Sequence, residues 1–361
     1  MSLTRWTQPL VKWLKRDSVP AKPAAQPSPP RDDRPSQTVT KLAAVDPSAD
    51  KPLAESHAPI PEVPSEFLAW LLGQPTAIFI AGGSSDLPPS AVAFLAQIDA
   101  VIASDTLRAS LLPRSPQVVP QLMSALRDER YSSADVSQRI SKDAVLATEV
   151  IRLANSAQRG DREPVVDLEH AVMAVGASGL RRVIAKSVLR PMFDARGTSL
   201  SARAAPQIWH DADNKARLCA ALAGNDLLDP LDGYLAGLLH GTGWTALMRG
   251  LDNVTPTPPP APTLLGAATA TALMQRRDTL FSKLIRPWGL SEPLVALADE
   301  IAAQGLAGVS SPLGLALQAA DRLAALHVLN ADGRLPGGLA PVLDALPDVV
   351  RDCYATTFAA H

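Results

Sequence analysis

Apolar residues return with a helical period along much of the chain. Val119, Leu122, Met123 and Leu126 fall at i, i+3, i+4 and i+7, and Leu168, Ala171, Val172 and Val175 repeat that spacing, so each set lines one face of a helix turned toward a core. Leu180, Val183, Ile184 and Val188 form a further buried face after Gly176, where a glycine free to take positive φ is expected to end the helix that starts at Leu168. Helix starts are marked as well: Ser132 and Asp135 have the spacing of a capping box, and Asp167 stands where an N-cap belongs. Short helices joined by brief polar turns predict an all-α, compact, two-lobed bundle.

Ahead of this bundle the pattern changes. Phe67 to Ile80 and Ala91 to Leu107 are two apolar stretches divided by Gly82-Gly83-Ser84-Ser85 and Pro88-Pro89, which predicts a small helical subdomain over 65–110. Within it, Thr76 to Ile80 is short enough to be a strand instead. Between Pro20 and Pro64 proline recurs among Ala, Ser and Asp, a composition that opposes helix and sheet pairing and offers little to bury, so 1–64 is expected to be a disordered tether. Near its start Trp6, Leu10, Trp13 and Leu14 make a short amphipathic pattern among Arg5, Lys12, Lys15 and Arg16, interrupted by Pro9. Such a peptide suits a partner's groove or a membrane surface, or else is a frayed terminus. The main helical domain is expected over 111–361, with lobes at 111–206 and 207–361. A second proline cluster, Pro256 to Pro262, reads as an exposed loop before helices resume at Leu264.

Composition sharpens the picture in three places. Aromatic residues are 4% of the 361 residues while 47% are apolar, which favours helix over sheet and supplies a substantial core. Lys plus Arg number 34 against 36 Asp plus Glu, a net charge of −2 that gives no global attraction to nucleic acid. The two cysteines, Cys219 and Cys353, lie in no metal-binding or redox spacing and read as reduced core thiols. There is neither an 18-residue apolar run nor a signal-peptide pattern, so a cytoplasmic location is expected.

Several stretches together resemble the HDOD domain. The first is Leu112-Pro113-Arg114-Ser115-Pro116. Ile140-Ser141-Lys142-Asp143 and Arg152-Leu153-Ala154-Asn155-Ser156-Ala157 follow, and then Ala171 through Val175-Gly176 to Leu180-Arg181, in the family's order. From Ile208 to about Leu329 the chain is similar to the relict HD phosphohydrolase within that family. Trp209 opens what looks like the first metal-ligand helix, Leu235 to Gly243 looks like the central motif with His240, and Ala319-Ala320-Asp321 resembles the last. The resemblance implies a helical signalling module and locates a vestigial metal site at Asp211, His240 and Asp321.

A working phosphohydrolase needs His and Asp side chains converging on one or two cations that acidify a bound water. Here the position after His240 is Gly241, which has no side chain to coordinate with. Alignment on Trp209 puts Asp211 where the first histidine would be, with His210 turned roughly 100° around the helix. Near Trp288-Gly289-Leu290 the downstream helix carries Asp299 and Glu300 but no histidine. Plainer roles are available: His240 as a helix-terminal ring bonded to local backbone, and Asp321 as a cap or an ion pair with Arg322 or Arg277. Gly176-Ala177-Ser178-Gly179 and Gly241-Thr242-Gly243 match no nucleophile or nucleotide motif and read as turns. Arg181, Arg182 and Lys186 form a small basic face.

These readings favour a non-enzymatic scaffold that needs no metal or other cofactor and acts through protein–protein contacts. Trp6, Trp13, Asn155 and Arg181 are the interaction candidates. By the resemblance, its partners would be signalling proteins of cyclic-dinucleotide or two-component pathways, and no nucleic acid is expected. The alternative is a residual metal-dependent phosphodiesterase.

Overall fold

In the computed structural model the described residues are 60–74, 87, 89–104, 111, 144–157, 165–195, 197–225, 228–254 and 266–358. Among them the chain forms eleven α-helices and no strand: α1 Pro64–Leu71, α2 Pro89–Ala103, α3 Ala144–Ala157, α4 Leu168–Phe193, α5 Leu200–Asn225, α6 Pro230–Val254, α7 Ala267–Ile285, α8 Glu292–Gln304, α9 Pro312–Ala331, α10 Ala340–Asp344 and α11 Asp348–Phe358. They all lie in one compact unit. Trp6, Trp13 and the tether before residue 60 lie outside the described residues. So do the Thr76 to Ile80 run, the Leu112 to Pro116 entry, the helix face at Val119, the Ser132 capping box, Ile140 to Asp143, and the Pro256 to Pro262 cluster.

Helix α6 is the centre of the body. Every residue from Leu231 to Met248 is buried, which is why its sequence is apolar or small on every side apart from Asp232 and His240. Three glycines one turn apart let α5 approach its backbone directly. A Cβ at Gly233 would stand 2.7 Å from the Cys219 carbonyl oxygen, one at Gly237 2.6 Å from Ala216 Cα, and one at Gly241 2.6 Å from Ala212 Cβ. The facing alanines on α5 complete a seam in which neither helix has room for larger side chains. Around this pair, α9 packs on α5 and α7 on α6. At the C-terminus α11 closes over α5 and α9. There His327 stacks on Phe358 at 3.9 Å between ring centroids and shares a 2.7 Å hydrogen bond between its Nδ1 and the Tyr354 hydroxyl.

Three boundaries differ from the sequence expectations. The lobe boundary at 206/207 falls inside α5, because Ala204, Ile208 and Ala212 share one buried face that carries the helix through Pro206. Helices α1 and α2, the described part of the expected 65–110 subdomain, pack on the second lobe. Phe67 of α1 lies 5.9 Å from Trp244 of α6, and Asp99 of α2 pairs with Arg276 of α7 at 2.6 Å. Residues 60–63, assigned to the tether, already belong to the body: Arg322 of α9 donates to the Ile60 carbonyl oxygen at 3.4 Å and pairs with Glu62. At Gly176 φ is 67°, so the first helical segment does end there, and the next begins without a loop. Asp167 caps that first segment, its Oδ2 accepting from the His170 amide at 3.1 Å. No helix among the described residues is long and apolar enough to cross a membrane.

Candidate functional site

Four helices deliver charged side chains to one buried point. Asp211 and Lys215 stand one turn apart on α5, His240 lies midway along α6, Arg277 and Asp278 are on α7, and Asp321 is on α9. Asp211, Lys215 and His240 are 0% exposed, Arg277 2%, and Asp278 and Asp321 7% each. Charges at this depth persist only when they are paired and hydrogen-bonded.

The pairing is nearly complete. Lys215 Nζ lies 2.6 Å from Asp321 Oδ1, 3.0 Å from Asp211 Oδ2 and 3.4 Å from His240 Nδ1, so three polar side chains surround the ammonium. His240 Nε2 lies 3.0 Å from Asp278 Oδ1 and its Nδ1 is also 3.5 Å from Asp321 Oδ1; with Nδ1 accepting from Lys215, Nε2 is the nitrogen that donates to Asp278. Arg277 binds Asp278 Oδ1 through Nε and Nη2, both at 2.8 Å, and reaches Oδ1 and Oδ2 of Asp321 at 3.0 Å each. Neither Asp211 oxygen has a hydrogen-bond partner among the described residues, although Oδ2 stands 3.0 Å from the Lys215 ammonium. The edge of the His240 ring meets Phe281 at 5.2 Å, and the Arg277 guanidinium lies 5.4 Å from the Trp244 ring centroid. The cluster is therefore walled by aromatics on two sides.

Burial and pairing pull the titrations in opposite directions. Burial alone would raise Asp321, but Arg277 and then Lys215 outweigh it and hold that carboxyl well below the usual carboxylate range. Burial also opposes the ionisation of Asp278, and Arg277 and the His240 hydrogen bond reverse the balance and lower its pKa. At Asp211 burial wins over Lys215 and raises the carboxyl. Lys215, which burial would discharge, is kept charged by Asp211 and Asp321. Because Asp278 and Asp321 are depressed in the fold, their stabilisation is present above their unfolded value near pH ~4 and is lost as pH falls through the folded values. Asp211 works in the reverse sense, losing stability as pH climbs from about 4. Urea midpoints measured across pH should therefore fall steeply below about pH 4, and Asp321→Asn should start lower and flatten that acid limb.

The structure brings together all three vestigial positions, Asp211, His240 and Asp321. His240 is not helix-terminal. Gly241-Thr242-Gly243, expected to be a turn, continues α6, because Gly241 must pass Ala212 and a Cβ at Gly243 would stand 2.4 Å from the Arg277 carbonyl oxygen. Of the two arginines offered to Asp321, Arg277 is its partner and Arg322 is engaged at Ile60 and Glu62. His210 is exposed on the outer side of α5, 6.3 Å from the Trp70 ring. Asp299 pairs with Arg286 at 3.0 Å, and Glu300 accepts from the Ser310 and Ser311 amides at 2.6 and 2.9 Å, fixing the start of α9. Sequence reasoning missed Lys215 and Asp278. The available signal was a lone lysine one turn from Asp211 in an alanine-rich helix, and a charged pair on the apolar face of Leu273, Leu280 and Phe281.

The donor set does not fit the divalent metal of an HD phosphohydrolase. A cation between Asp211, His240 and Asp321 would have to displace the Lys215 ammonium, and it would stand beside a guanidinium that already spans both oxygens of Asp321. Among the described residues no group of three or more His, Cys, Asp or Glu side chains is arranged to hold a metal ion.

The interaction candidates lie elsewhere. Asn155 spends both ends of its amide on the return of its own chain, donating to the Val165 carbonyl at 3.0 Å and accepting from the Val165 amide at 2.7 Å. Arg181 is half-buried on α4. Of its basic neighbours, Lys186 pairs with Asp213 at 2.8 Å, and further along α4 Arg190 lies 4.3 Å from the Trp209 ring centroid.

Comparison with known proteins gives three kinds of match. The family model described as HDOD domain matches residues 112–303, just over half of the chain. A protein of Treponema pallidum (strain Nichols) is 28% identical over 162 residues, covering 43% of this chain and 30% of its own, so the chain spans under a third of that relative's length. Among solved structures, a Shewanella amazonensis SB2B protein provisionally named a metal-dependent phosphohydrolase is 16% identical. It covers 73% of this chain and 99% of its own, with a TM-score of 0.49. An HDOD domain protein of unknown function from Geobacter sulfurreducens is 18% identical, over 73% of this chain and 88% of its own, with a TM-score of 0.46.

Proposed function

Because the chain belongs to the HDOD domain family, we propose that it acts as a non-catalytic regulatory module that works by binding other proteins, in keeping with bacterial signal transduction. One observation carries the reading: the Lys215 ammonium stands at hydrogen-bonding distance from the three side chains that would otherwise hold a metal. Metal-assisted phosphoester hydrolysis needs a cation that polarises a phosphoryl oxygen and acidifies a water. An ammonium enclosed by two carboxylates and an imidazole is coordinatively spent, since it offers neither a vacant position nor a Lewis-acidic centre. The site then serves the fold, holding α5, α6, α7 and α9 in a fixed arrangement, and function moves to the surface. Signalling proteins of cyclic-dinucleotide or two-component pathways are the partner class that the family resemblance suggests.

The test is turnover. Full-length protein assayed with bis-p-nitrophenyl phosphate in the presence of Mn²⁺, Mg²⁺ or Fe²⁺ should hydrolyse no faster than its Asp321→Asn variant. Metal-dependent hydrolysis that disappears in that variant would replace this reading with the phosphodiesterase one.

A further inference from the structure

A cavity of about 100 Å³ opens against the outer wall of the ion cluster. Arg277, Asp278 and Asp321 line it together with Met274, Ala325 and, from the short turn before α9, Leu306. The Pro61 to Val63 segment lines it as well, and there Glu62 is paired with Arg322. At that size it holds several waters, or the head group and first few carbons of one ligand.

The polar groups in it are unevenly committed. Both guanidinium groups have their hydrogen bonds directed at protein: Arg277 to Asp278 and Asp321, and Arg322 to Glu62 and the Ile60 carbonyl. The carboxylates are not exhausted. Asp278, 7% exposed, receives every one of its hydrogen bonds on Oδ1, which leaves Oδ2 without one. An ionised carboxylate has acceptor sites on both oxygens, and Arg277 keeps this one ionised. Glu62 adds a third carboxylate to the lining. A phosphate or carboxylate ligand entering here would meet Asp278, Asp321 and Glu62, and the two guanidinium groups beside them already direct their hydrogen bonds at those carboxylates and at the Ile60 carbonyl.

We infer that this cavity binds a small organic cation, an alkylguanidinium or alkylammonium group, with its head on Asp278 Oδ2 and its aliphatic stem along Met274, Leu306 and Ala325. That chemistry comes either as a free amine or as the tip of a partner's Arg or Lys side chain. The inference goes beyond the proposed binding role and does not require it.

Calorimetric titration of the full chain decides it. Butylguanidinium should bind, and its neutral near-isostere butylurea and the anion butyrate should not. Ala307 is exposed and lines the cavity while belonging to no ion pair of the cluster, so Ala307→Trp should fold normally and, by filling the cavity and keeping the cation from its charge-assisted hydrogen bond to Asp278, weaken butylguanidinium about tenfold or more. Asp278→Asn should weaken it similarly, and if that variant does not fold, Ala307→Trp decides alone. Competition by acetyl-Gly-Arg-Gly-amide would assign the cation to a partner's side chain, and binding of butylguanidinium without such competition would assign it to a free small molecule. Equal binding of butylguanidinium and butylurea, or affinity unchanged in Ala307→Trp, would overturn the inference.

Discussion

Replacing Lys215 by methionine should cost about 3–5 kcal/mol of folding stability, the usual consequence of removing one partner from a buried ion cluster. Methionine approximates the lysine stem in volume, so the loss would not come from a void. It would come from what is left behind. Asp211 would lose its one ion-pair partner among the described residues, Asp321 would keep Arg277 and the more distant His240, and His240 Nδ1 would lose the ammonium beside it, all at sites almost closed to water. Urea unfolding measures this directly. Adding Asp211→Leu to Lys215→Met should recover part of the loss, because it removes the carboxylate that the first change orphans. A Lys215→Met loss below about 1 kcal/mol, the scale of an exposed ion pair, would mean that the ammonium does not hold the cluster together.

Gly241→Asp, the change that would rebuild a His-Asp doublet, should be nearly as damaging and should restore no metal site. An added Cβ would stand 2.6 Å from Ala212 Cβ and 3.0 Å from Phe193 Cε1, and both belong to packed helices rather than to mobile side-chain ends. Overpacking of that kind costs about 1–3 kcal/mol, and a new carboxylate buried without a partner adds to it. The expected outcome is a large fall in urea midpoint or insoluble protein, with no gain in bound Mn²⁺. A well-folded Gly241→Asp protein that takes up stoichiometric metal would show that the seam between α5 and α6 is looser than described.

The same seam explains what the sequence disclosed and what it hid. Helical periodicity and a scarcity of aromatics pointed to an all-α bundle, and Asp167 and Gly176 marked helix ends that the fold uses. The motif resemblance located Asp211, His240 and Asp321, and these do converge. What periodicity could not convey was distance between helices. Gly241 and Gly243 read as turn residues because a glycine looks the same whether it bends a chain or lets a neighbouring helix pass close by. Only the packing of α5 and α7 distinguishes the two. Lys215 was hidden for a related reason. A lysine in an amphipathic helix is ordinarily a solvated one, and its burial follows from Asp321 arriving from α9, over a hundred residues later in the chain. The boundaries near 206 and 110 were drawn at compositional breaks, which record local chain preferences, whereas Trp244 receiving Phe67 is a long-range contact that such breaks do not convey.

The account rests on Lys215 standing where an HD enzyme would keep its cation. Metal content per chain, determined by mass spectrometry on full-length protein from cells grown with added Mn, Fe, Zn and Mg, tests that claim most directly. Far less than one metal ion per chain is expected, with no decrease in Asp321→Asn. Near-stoichiometric metal that is lost in Asp321→Asn would contradict it.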